Sequence, residues 1–89
     1  MSNITQKQID ALTDLYNDTQ ESYDYLMDCS IKEKNPVKRE RITKARYGRF
    51  CQISMLEKVC NALGLETNLD IETQKFVIKE KEGKNGNKN

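Results

Sequence analysis

Arg46, Tyr47 and Arg49 fall within four residues of one another and combine what an anion site needs. A guanidinium is a planar fork that can hold a phosphate or carboxylate through two hydrogen bonds, and a tyrosine beside it offers a ring and a hydroxyl. Lys38 and Arg39 lie about two to three helical turns upstream and extend the candidate. All five belong to "NPVKRERITKARYGRF", Asn35 to Phe50, which holds six of the chain's fifteen Lys and Arg residues and one Glu. A second reading gives Arg49 a purely internal task, its stem laid on an apolar seam and its head stacked on Tyr16. Gly48 costs about 1 kcal/mol relative to Ala inside a helix, which a close approach of another backbone or a ligand would explain.

The opposite charge is gathered elsewhere. Residues 1–31 carry six acids and one base, whereas residues 32–49 carry eight bases and two acids. Asp10, Asp14, Asp18 and Glu21, with Asp24 and Asp28, occupy a band roughly 120° wide at about 100° per residue. Acids four residues apart on a helix repel by a few tenths of a kcal/mol. The band is either a solvated face or a surface for a basic partner. The overall charge of +1 selects neither a nucleic acid nor an acidic partner.

Catalysis finds little to work with. The chain has no His and three Cys, Cys29, Cys51 and Cys60, in no C-x-x-C spacing. No Gly-rich phosphate loop and no nucleophile–base pair stands out. No enzyme activity, no metal and no cofactor is expected. The odd cysteine count argues for reduced, mostly buried thiols and a cytoplasmic protein. No apolar run approaches a membrane span, and the first residues lack a signal-peptide pattern.

These residues must be positioned by helices. Thr5 and Gln8 form a capping box, with Ile4 and Ile9 as its staple. Ile9, Leu12, Tyr16, Thr19, Tyr23 and Leu26 then follow steps of three and four, predicting a helix over about 6–29. Asn35 can cap a second helix, with Pro36 at its first position. Ile42, Ala45, Ile53, Leu56, Cys60 and Leu63 continue it over about 36–63, and Gly64 suits a left-handed end. The short connection favours an antiparallel pair. After Gly64, Leu65, Thr67, Leu69 and Ile71 alternate with polar residues and Phe76-Val77-Ile78 follows. This predicts a β-hairpin over about 65–79, with a loop and a short third helix as the competing reading. Residues 80–89 read as a disordered polar tail. The fold class is therefore mainly α: one small domain over 1–79, an antiparallel two-helix hairpin followed by a C-terminal β-hairpin.

That arrangement predicts two contacts. Lys38, Arg39 and Arg41 start one helix and Asp24 and Asp28 end the other, each on the unfavourable end of its own helix dipole. An antiparallel hairpin sets these acids against these bases. It also predicts that facing residues have numbers summing to about 65, so that Ile9 meets Leu56, Leu12 meets Ile53, Tyr23 meets Ile42 and Arg49 meets Tyr16.

A chain this short with 36% hydrophobic residues has a thin core, and self-association is expected. The function expected is that of a small, non-catalytic interaction or regulatory protein. It binds another macromolecule, first of all itself as a homo-oligomer. The alternative is nucleic-acid or nucleotide binding through the basic half of helix two. The stretch "RITKARYGRFCQISMLEKV" resembles, in helix placement, the second helix of small phage helical-hairpin proteins that sequester cyclic nucleotides. The resemblance implies an anionic ligand and carries over no individual site residue.

Overall fold

The caps form as their residues dictate. In the computed structural model, which describes residues 4–81, the Thr5 hydroxyl accepts the Gln8 amide at 3.1 Å and the Gln8 side chain accepts the Thr5 amide at 2.8 Å. Helix α1 (Gln6–Lys32) follows. Asn35 Oδ1 accepts the amides of Val37 and Lys38, and helix α2 (Pro36–Ala62) begins with its proline at the first position. Gly64, at φ +78°, turns the chain out of α2, a conformation that costs glycine nothing. Strand β1 (Leu65–Asp70) and strand β2 (Lys75–Glu80) pair antiparallel, with Leu65 opposite Glu80 and Leu69 opposite Phe76.

The molecule is thus a mainly α helical hairpin with a β-hairpin laid on it, measuring 55 × 26 × 25 Å. Strand β2 packs on α1 and β1 packs on α2. The β-hairpin, not a third helix, is what forms. Two residues that the sequence assigns to the tail are ordered: Glu80 ends β2, and the Lys81 amide donates to the Gly64 carbonyl at 3.0 Å; residues 82–89 lie outside the described residues.

The core holds Ile9, Tyr16, Ile53, Cys60, Leu65 and Ile78. Burial of a side chain of this size stabilises by roughly 1.5–3 kcal/mol. All six sit at the end of the helix pair remote from its connection, where the β-hairpin closes over the seam. The Asn17 side chain fixes the β-hairpin there. Its amide donates to the Phe76 carbonyl at 2.9 Å and its oxygen accepts the Phe76 N–H at 2.9 Å. The Tyr16 and Phe76 rings meet at 5.1 Å.

The helix register differs from expectation. Tyr16 reaches Glu57, Ser22 reaches Arg49, Tyr23 reaches Phe50 and Met27 reaches Arg46. These numbers sum to between 71 and 73 rather than 65. One cause is that α1 continues to Lys32, which moves the midpoint of the connection. The other is that side chains lean toward their own helix N-terminus. In an antiparallel pair the two leans displace the partners in opposite directions, so each residue meets one further along the chain.

The expected pairing of acids with bases does not form. Asp28 pairs with Lys32 on its own helix at 3.0 Å, and Lys44 pairs with Glu40 at 3.7 Å. Among the described residues no ion pair crosses between the helices. Arg39 instead donates through Nε to the Glu33 carbonyl at 3.0 Å and through Nη2 to the Lys34 carbonyl at 3.2 Å. The positive charge at the start of α2 therefore answers backbone oxygens at the carboxyl end of α1.

Candidate functional site

The two arginines proposed together from sequence are separated by the helix seam. At about 100° per residue, Arg46 lies on the flank of α2 that carries Asn61 and Arg49 lies toward the other flank. Arg49 donates through Nε to the Ser22 hydroxyl at 3.0 Å and through Nη1 to Gln52 at 3.4 Å. It neither stacks on Tyr16 nor shares a site with Arg46. Tyr16 is fully buried and donates its hydroxyl to Glu57 Oε2 at 2.5 Å. Burial, then the Glu57 carboxylate, raises the Tyr16 pKa above its ordinary value of 10.0. Burial and Glu57 likewise raise that of Cys60.

Arg46 and Tyr47 do come together. With Tyr23, Thr43, Lys44 and Phe50 they line an open groove of about 390 Å³. Residues 43, 46, 47 and 50 recur at helical spacing and so share one face of α2. Tyr23 completes the groove from α1. The Tyr47 and Phe50 rings stack at 6.2 Å and the Tyr23 and Phe50 rings meet at 6.4 Å. Arg46 donates to the Met27 sulfur at 2.9 Å, and no carboxylate lies within ion-pair distance of it among the described residues.

The groove continues the face on which the β-hairpin sits. Asn17 and Asn61, which hold that hairpin at Phe76 and Lys81, lie on the same flanks as Met27 and Phe50. Lys38 is exposed at the start of α2, and Arg39 is engaged with the connection. The sequence reading missed Tyr23, Thr43, Lys44 and Phe50. The helical spacing of 43, 46, 47 and 50 marks the α2 members, whereas Tyr23 needs the correct register.

The acidic candidates Asp10, Asp14, Asp18 and Glu21 are all exposed on α1. Gln6 donates to Asp10 at 2.9 Å, and no Lys or Arg pairs with any of the four among the described residues. Two further expectations change. A Cβ on Gly48 would meet nothing within 4 Å, so no close approach of another described part of this chain accounts for that glycine. Cys51 is exposed, Cys29 half-buried and only Cys60 buried, all as free thiols. No group of metal-ligating side chains is present among the described residues, and no described helix is long and apolar enough to cross a membrane. No family model, curated protein or solved structure matches this chain.

Proposed function

We propose that this chain is a non-catalytic binding protein whose first macromolecular partner is a second copy of itself. The observation that carries this reading is the face opposite the β-hairpin. Leu15, Leu56, Val59 and Leu63 lie on the flanks away from Asn17 and Asn61, and Leu15, Val59 and Leu63 are 51%, 39% and 40% exposed. A helix pair with one sheet-covered face and one bare apolar face is half of a four-layered core.

Charge selects between two symmetric ways of stacking that face on itself. A two-fold axis across the helices sets acidic α1 over acidic α1. An axis along the helices sets α1 of one copy over basic α2 of the other, antiparallel, with both connections at the same end. The second arrangement places opposite charges along both edges and satisfies the isologous rule that each contact occurs twice. The three free thiols support a reducing, cytoplasmic setting. Tyr16 and Glu57, which meet across the seam, bridge the two helices within the fold, which supports a structural task for that pair.

Sedimentation equilibrium of the full chain tests the reading. The expected result is a dimer that weakens as salt rises. Leu15→Glu with Val59→Glu should yield a monomer of unchanged helicity. A monomer in the parent chain, or a dimer undisturbed by that double substitution, would overturn it.

A further inference from the structure

The groove between the β-hairpin and the helix connection lies on the opposite face from the proposed copy-to-copy contact and has a chemistry of its own. We propose that it binds a small planar anion: one flat ring carrying a phosphate or carboxylate. Three observations converge. The floor and wall are aromatic, with Tyr23, Phe50 and Tyr47 in successive ring contact, and a ring inserted beside Tyr47 would extend the stack. Tyr47 is 65% exposed and Phe50 51% exposed, so each has ring surface free to cover a ligand. Arg46, half-buried at the groove, has a thioether as its hydrogen-bond partner and, among the described residues, no carboxylate within ion-pair distance. A thioether is a weak acceptor, so a phosphate or carboxylate displaces it with a large gain. Lys44, on the groove edge, pairs with Glu40 across 3.7 Å on an exposed surface, an interaction worth little.

The surroundings restrict the size of the anion. Asp24 and Asp28 share the helical angle of Asn17 to within about 20°, so they stand along the α1 edge of the same face. A strand with many phosphates would pass those carboxylates, whereas a ligand with a single anionic group reaches Arg46 and Lys44 without meeting them. The groove's volume of about 390 Å³ falls in the range of small-molecule sites. Arg49, engaged with Ser22 across the seam, takes no part.

Calorimetric titration of the full chain decides the matter, with adenosine monophosphate, benzoate, adenosine, inorganic phosphate and a short oligodeoxyadenylate as probes. Binding of the monophosphate or of benzoate is expected, the better of the two naming the anion. Adenosine and inorganic phosphate should each bind at least about tenfold more weakly than the better probe, because each lacks one of the two anchors. Arg46→Gln should weaken binding at least about tenfold, and Arg49→Gln should leave it unchanged. Tyr47→Ala, at an exposed position that the fold does not need, should also weaken it and stands in if Arg46→Gln does not fold. The proposal is overturned if neither ring-borne anion binds, if inorganic phosphate binds as well as they do, if Arg49→Gln matches Arg46→Gln, or if the oligonucleotide binds more tightly per chain than the monophosphate.

Discussion

The two ends of the helix pair are made of similar residues and reach opposite outcomes. At the end remote from the connection, Ile9, Tyr16, Ile53 and Cys60 are buried because Leu65 and Ile78 of the β-hairpin close over them. At the connection end, Tyr23, Tyr25, Ile31, Val37, Tyr47 and Phe50 are no less apolar. Tyr25, Ile31 and Val37 nevertheless stay 69%, 74% and 60% exposed. Two helices alone bury only the line along which they touch, and a third layer is what turns a seam into a core. Polar contacts cross between elements at both ends: Asn17 and Glu57 reach Phe76 and Tyr16 under the β-hairpin, and Arg46 and Arg49 reach Met27 and Ser22 nearer the connection. One end of the helix pair is closed by the β-hairpin and the other is left uncovered by it.

Core truncation at the covered end gives the largest expected contrast. Ile53→Ala and Leu65→Ala should each cost about 2–5 kcal/mol in chemical denaturation, whereas Tyr25→Ser and Val37→Ser should stay within about 0.5 kcal/mol. Equal losses at both ends would erase the division. A smaller effect is expected at the polar clamp. Asn17→Ala leaves the Phe76 N–H and carbonyl without their partner and should cost roughly 1–3 kcal/mol, with faster hydrogen exchange in β2 than in α2. Unchanged exchange at Phe76 would show that the clamp contributes nothing.

The smallest effect is a dependence on alkaline pH. The folded state raises the Tyr16 pKa above 10.0, first through burial and then through Glu57. The stabilisation is therefore complete below pH 10 and is lost as the pH climbs toward the folded value, because the unfolded chain releases the proton first. Tyr16→Phe should flatten the fall of stability with pH above that point. An identical slope in the variant would place the alkaline sensitivity elsewhere.

Local chemistry was readable in the chain, and cross-element geometry was not. Thr5, Gln8, Asn35, Pro36 and Gly64 act within a few residues of themselves, so their types alone mark where helices begin and end. The alternation after Gly64 likewise shows a strand without naming what it packs on. Register was less accessible, because a small displacement of the helix end and the lean of side chains both enter it. That displacement moved Arg49 from Tyr16 to Ser22 and Tyr23 from Ile42 to Phe50. Charge misled for a different reason: Asp24 and Lys38 look complementary as a pair, but backbone carbonyls at the end of α1 were nearer to Arg39 than any carboxylate. Asn17 carried no mark of its role. Its one distinctive trait is its place beside the buried Tyr16, at the margin of the seam.

The Asn17 clamp also bears on folding order. It joins Phe76 to a residue 59 positions earlier, and Tyr16 and Glu57 are 41 positions apart. Contacts near the connection close short loops at little entropic cost but bury little, while those that hold the core close long ones. The chain therefore cannot bank stability as it zips from the connection outward. The contacts that hold Leu65, Phe76 and Ile78 against the helices close the longest of these loops, so the stability of this mainly helical fold draws on pairings far apart in sequence, which fold more slowly than a helix pair alone.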